Sequence, residues 1–177
     1  EYLPSDKRAR VLGVLGLFEG IPTVVFGYFA LLFVTPLLQK VIPGLSLFNP
    51  LSAGLVMGFA ILPYVSNVAA DAMQSVPRSI REAAYALGAR PYEVALKVVL
   101  PAALSGVIAA IILAASRAIG ETMIVAIAAG QRPTLTLDPR ETIATMTSYI
   151  VQAATGDQPT GSTAYYALFA VGFTLFL

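Results

Sequence analysis

The chain has 177 residues, of which 57% are hydrophobic and 12% charged, against about a quarter charged in ordinary soluble domains. That balance puts it in a membrane, where the formal net charge of +1 matters less than where the basic residues lie along the chain. With no Cys and no His there are no disulfides, thiol nucleophiles, imidazole bases or ordinary zinc sites, so neither a cofactor, a metal nor a catalytic residue is expected.

The chain begins with a short polar stretch, Glu1-Tyr2-Leu3-Pro4, followed by the basic cluster Lys7, Arg8 and Arg10. Residues 11–38 form the first apolar run, broken by Glu19, Gly20, Pro22 and Pro36 and long enough to cross a bilayer with a kink. Lys40 to Pro50 is a Pro- and Gly-containing connection, and residues 51–70 are a second span, with Pro63 inside it. Residues 71–101 are helical by propensity but too polar to span, since they carry Arg78, Arg81, Arg90 and Lys97 with Glu82 and Glu93.

Residues 102–129 make a third span, in which Ala102, Gly106, Ala110, Ala114 and Ala118 recur every four residues, a stripe that lets a second helix approach closely. Beside it, Leu113, Arg117 and Glu121 form a parallel stripe if the helix is continuous. A charge near the bilayer centre costs about 2.5–3.5 kcal/mol on insertion scales, so Arg117 marks a substrate or ion pathway. Its planar fork suits bidentate binding of an oxyanion, whereas the Glu121 carboxylate repels an anion and reads as a countercharge that eases release. A purely structural ion pair is the alternative for these two residues, and for Glu19 a polar contact without a transport role is the simpler reading.

Residues 130–163 form a polar loop. Asp138, Pro139 and Glu141 fit an N-cap, N1 and N3 pattern there, so the expectation is a short amphipathic helix running from that cap through Ile143, Met146, Ile150 and Ala154 to Gly156. Residues 164–177 begin a fourth span shorter than the ~20 residues of a full crossing. With no Met at the start and no signal-peptide pattern, the sequence reads as the interior of a longer polytopic protein. If the loop at 71–101 is cytoplasmic, seven basic residues lie inside and only Lys40, Arg132 and Arg140 outside, as the positive-inside rule requires.

Glu82-Ala83-Ala84, Gly88, Val98, Leu100 and Pro101 match E-A-A-x(3)-G-x(9)-[IV]-x-L-P throughout. Pro77 suits a helix start, Arg78 to Leu87 are good helix formers, and Gly88 suits a turn with positive φ before a second short helix after Pro91. This segment resembles the EAA loop of ABC importer permeases. Four further segments, EYLP, IPTVVFGYFALLFVTPLL, VPRSIREAAYALGA and SRAIGETMIVAIAAG, are similar to the C-type permease subunits of Pst phosphate importers. Glu19 departs from the small or apolar residue expected before Gly20-Ile21-Pro22.

The resemblance implies an all-α, polytopic transmembrane bundle of the type I ABC importer permease class, a single permease domain over residues 1–177. It implies a prokaryotic cell-membrane location and a loop, with Arg81, Glu82, Ala83, Ala84 and Gly88, that docks on cytoplasmic ATP-binding subunits. A homologous permease subunit and an extracytoplasmic phosphate-binding protein would complete the transporter. The chain has no G-x(4)-G-K-[ST] phosphate cradle, so ATP hydrolysis belongs to a partner, and nothing suggests a nucleic-acid ligand. Phosphate is the expected substrate; sulfate, molybdate or tungstate import is the neighbouring alternative, and a membrane scaffold or sensor subunit the alternative from another class.

Overall fold

The computed structural model describes residues 5–156, 159 and 161–177; Glu1-Tyr2-Leu3-Pro4 and Asp157, Gln158 and Thr160 of the 130–163 loop lie outside the described residues. The described residues form helices and no strands: α1 (Ser5–Glu19), α2 (Thr23–Gln39), α3 (Pro50–Gln74), α4 (Arg78–Ala86), α5 (Pro91–Ala102), α6 (Leu104–Gly120), α7 (Met123–Ala128), α8 (Met146–Thr155) and α9 (Thr163–Phe176). By length and composition α3 alone is long and apolar enough to cross a membrane, or up to three crossings arise if α2 and α6 each join the helix before them.

The breaks follow from particular residues. Gly20 and Pro22 separate α1 from α2, and Pro22 caps α2 because a proline supplies φ near −60° without an N–H that would need a partner. Inside α2 and α5 the helix widens to a π-type segment, Ala30–Val34 and Val94–Val99, each running into a turn that carries Pro36 or Pro101. A proline gives no bond to the carbonyl four residues earlier and its ring crowds that carbonyl, so a widened turn ahead of it relieves the conflict. At Ala103 the path bends by 71° between α5 and α6.

The chain divides into two compact units, the first made of the described residues up to Gly20 together with Ile61–Ala118, the second of Ile21–Ala60 and Ile119–Leu177. In the first unit the core is Val76, Val94, Val99 and Ala103, with Met73, Ala84, Ala89, Val98 and Val107 packed on it. The middle of the small-residue stripe faces inward on α6: Ala110 and Ala114 are buried, and a Cβ added at Gly106 would lie 2.5 Å from the Ala72 Cβ, whereas Ala102 falls on α5 and is exposed. Only glycine allows α6 that approach to α3.

In the second unit α2 packs on α7, where a Cβ added at Gly27 would meet Ile127 at 3.0 Å and the Ile124 backbone at 3.3 Å. A polar knot sits beneath this contact. Thr35, Asn49 and Ser52 are fully buried; the Thr35 hydroxyl donates to the Ser52 Oγ at 2.8 Å, and Asn49 Oδ1 accepts from the Ser52 N–H at 2.8 Å while its amide donates to the Ser46 carbonyl at 2.9 Å. Burial without water makes such bonds obligatory, and here they are made. The connection before α3 and the loop after α7 are stitched together by Ser46 N–H to the Arg140 carbonyl (3.0 Å), Asn49 N–H to the Ala128 carbonyl (2.9 Å) and the Thr142 hydroxyl to the Phe48 carbonyl (2.9 Å).

The helix expected from an Asp138 cap does not begin there. The α8 helix starts at Met146, with Thr145 as its N-cap accepting from the Ser148 N–H, and ends at Gly156. Asp138 is drawn instead into a two-pronged pair with Arg140, at 2.9 and 2.7 Å, which competes with capping. The exposed guanidinium holds the Asp138 carboxyl down at about 2.

Candidate functional site

The sequence singles out two groups of residues, and the structure positions each by local means. The loop 71–101 folds as α4, a turn and α5. Pro77 caps α4, the helix runs from Arg78 to Ala86, and Gly88 takes φ 82° with nothing within 4 Å of an added Cβ, so glycine is required there by backbone conformation alone. Arg81 turns back to donate to the Met73 carbonyl at the end of α3, and Ala84 packs against the core of the first unit. Glu82, Ala83 and Gly88 are exposed.

Past the turn, Glu93 accepts from the Arg90 N–H at 3.0 Å and pairs with Lys97 at 3.2 Å; these contacts, the backbone one first, lower its pKa. The three residues thus close the start of α5. Exposed apolar side chains, Ile80, Leu87, Tyr92 and Leu96, surround the turn. The result is a projecting helix, turn, helix element whose inner face is anchored and whose outer face is free to meet a protein surface.

The second group is split by the fold. A continuous helix through residues 102–129 was expected to carry Leu113, Arg117 and Glu121 on one stripe, but α6 ends at Gly120 and α7 begins at Met123. Glu121 is therefore not one turn beyond Arg117 on the same helix. Its Oε1 accepts the Met123 N–H at 3.1 Å and the Ile124 N–H at 3.2 Å, and its carbonyl accepts the Thr147 hydroxyl at 3.1 Å. A carboxylate at the start of a helix satisfies N–H groups that the helix leaves without partners, and Gly120 before it removes the side chain that would favour continuing. Arg117 sits 13 residues after the α6 start at Leu104, roughly 20 Å along the axis at 1.5 Å per residue.

Arg117 is exposed, and among the described residues it makes neither a hydrogen bond nor an ion pair through its side chain; its guanidinium carbon lies over the Tyr64 ring, 5.3 Å from the centroid. Another charged residue of this unit, Glu19, accepts from the Asn67 amide at 2.8 Å. Tyr64, Asn67 and Asp71 are spaced three and four apart on α3. Each charge thus meets one member of a polar stripe of α3. Tyr64 and Asn67 were not singled out by sequence, although their i, i+3 spacing inside an apolar span is a visible signal.

In the second unit a cleft of about 660 Å³ is lined by Tyr28, Phe48, Ile127, Gly130, Arg132 and Thr142, and a smaller one of about 350 Å³ shares Arg132 and Thr142 with Ser46 and Glu141. No group of His, Cys, Asp and Glu with metal-holding geometry occurs among the described residues.

Residues 7–177 match the model of a family described as binding-protein-dependent transport system inner membrane component. The chain is 33% identical over 99% of its length to a probable ABC transporter permease protein, YqgH, of Bacillus subtilis, covering 56% of that protein. It is 32% identical over its whole length to the phosphate transport system permease protein PstC of Xylella fastidiosa, covering 60% of it, and 31% identical to PstC of Pasteurella multocida, also covering 60%. It therefore spans a little over half the length of these relatives.

Proposed function

We propose that this chain, which belongs to the family of binding-protein-dependent transport system inner membrane components, is part of the membrane-spanning permease of an ATP-driven importer of inorganic phosphate. The observation that carries the reading is Arg117: a permanently charged guanidinium in an apolar helix, set over a ring and without an acidic partner among the described residues. Such a group is ready for an oxyanion, because binding displaces no carboxylate. The similarity to proteins named as phosphate transport permeases supports phosphate over sulfate, molybdate or tungstate.

In this reading Arg117 contacts phosphate, while Glu121 belongs to the same pathway as the residue just beyond α6 that caps the start of α7. The countercharge role expected of Glu121 gives way to this shaping role, since its carboxylate is already engaged by two N–H groups of α7. A homologous permease would line the other side of the pathway, and an extracytoplasmic binding protein would deliver phosphate. The α4–turn–α5 element, with Arg81, Glu82, Ala83, Ala84 and Gly88, would transmit the closure of cytoplasmic ATP-binding subunits to the helices. No covalent chemistry falls to this chain.

Uptake of labelled phosphate by the reconstituted full-length transporter tests the reading. Arsenate competes and sulfate or molybdate does not if the substrate is phosphate, and Arg117→Gln reduces uptake at least tenfold, the loss of about 1.4 kcal/mol or more from one charge-assisted contact. Competition by sulfate or molybdate but not arsenate would exclude phosphate, and unchanged uptake by Arg117→Gln would remove Arg117 from the pathway.

A further inference from the structure

We propose that Tyr64 is a positioning residue for Arg117, its ring holding the guanidinium in place so that its N–H donors stay available to a tetrahedral oxyanion; this rests on Arg117 being a substrate contact. The guanidinium carbon lies over the ring at 5.3 Å from its centroid, within the ~6 Å range in which a cation is attracted by the ring quadrupole. That attraction acts on the charge and brings no lone-pair acceptor, so the five N–H donors of the guanidinium keep their capacity for an oxyanion.

A carboxylate partner would do the opposite, occupying two N–H groups and cancelling the charge that an anion needs. Glu19, the acidic side chain that meets the polar stripe's other contact, accepts at 2.8 Å from Asn67, three residues from Tyr64 on α3. The same helix thus holds the cation by a ring and the anion by an amide, and neither contact neutralises Arg117. Tyr64 is half-buried, and in apolar surroundings a long arginine side chain without such a support would lose its fixed direction. Tyr64 follows Pro63 within α3, and α6 approaches α3 closely where Gly106 meets Ala72, so the two helices that carry the pair are packed against each other.

The test compares Tyr64→Leu, Tyr64→Phe and Arg117→Gln in the reconstituted full-length transporter, with phosphate KM and kcat of ATP-dependent uptake as separate readouts. Tyr64→Leu, which keeps apolar bulk without a π face, is expected to raise KM about three- to thirtyfold with a smaller change in kcat. Tyr64→Phe, which keeps the face, brings KM back to near wild type, and Tyr64→Trp does the same should the leucine variant fail to assemble. An unchanged KM in Tyr64→Leu alongside lost uptake in Arg117→Gln overturns the positioning role and leaves the function standing. A Tyr64→Phe as impaired as Tyr64→Leu assigns the effect to the hydroxyl and also overturns it. Unchanged uptake in Arg117→Gln sinks both readings.

Discussion

At the residue scale, two glycines with similar backbone angles separate strain from packing. Gly88 has φ 82° and open space around it, whereas Gly130 has φ 95° and an added Cβ would strike the Thr142 methyl and press on Phe48 at 3.2 Å. Gly88→Ala is therefore expected to cost about 1–2 kcal/mol from the left-handed backbone alone. Gly130→Ala adds overpacking, about 2–5 kcal/mol in all, and thermal unfolding in detergent should rank the two variants in that order. The knot at Thr35, Asn49 and Ser52 makes a second case: Ser52→Ala removes the acceptor of the Thr35 hydroxyl and should cost about 1–3 kcal/mol, with a Thr35→Val, Ser52→Ala pair less costly than the sum of the two singles. Gly88 was legible in the sequence because its need is local, a turn after a helix. Gly130 was not, because its neighbours Phe48 and Thr142 come from segments the chain alone does not bring together.

At the element scale, what the sequence announces well is where a helix cannot continue. Pro22, Gly88 and Pro101 each act on their own turn, and the helix, turn, helix of residues 78–102 was readable for that reason. The ends of α6 and α8 were misread because the deciding bonds compete: Glu121 was assigned to a stripe but caps α7, and Asp138 was assigned to a cap but pairs with Arg140. The capping residue of α8 is Thr145, so Thr145→Ala is expected to fray its first turn and cost about 1 kcal/mol, while Asp138→Ala leaves α8 in place; hydrogen exchange at Ser148 separates the two. The Asp138 pair also has a predictable pH response. Its folded pKa, about 2, lies below the unfolded value of 3.8, so its stabilisation is present above pH 3.8 and is lost as pH falls through 2. Following the Asp138 carboxyl carbon by NMR should give a midpoint near 2 that moves back toward 3.8 in Arg140→Gln.

At the scale of the whole molecule, composition announced a membrane protein and the family resemblance an all-α one, and the helices bear large exposed apolar side chains such as Leu32, Phe33, Phe59 and Ile112, as lipid contact or further protein requires. What composition could not give was the division into two units, because Ile61–Ala118 joins the described residues up to Gly20 through contacts between distant segments rather than through any local pattern. Orientation is different again: it is a property of the charges outside the bilayer, and the seven-to-three bias predicts that α4 and α5 face the cytoplasm and Leu135 the outside. These 177 residues contain no cysteine, so single cysteines placed among them report side by labelling when compared with the unsubstituted protein. Arg90 and Leu135 are both exposed, one in the turn before α5 and the other in the loop after α7. In spheroplasts, a membrane-impermeant maleimide should label Leu135→Cys and spare Arg90→Cys, whereas inverted vesicles should reverse the pattern. The inverse labelling would leave the α4–turn–α5 element facing away from any ATP-hydrolysing subunit, and mechanical coupling through Glu82 and Gly88 would then be impossible whatever the substrate.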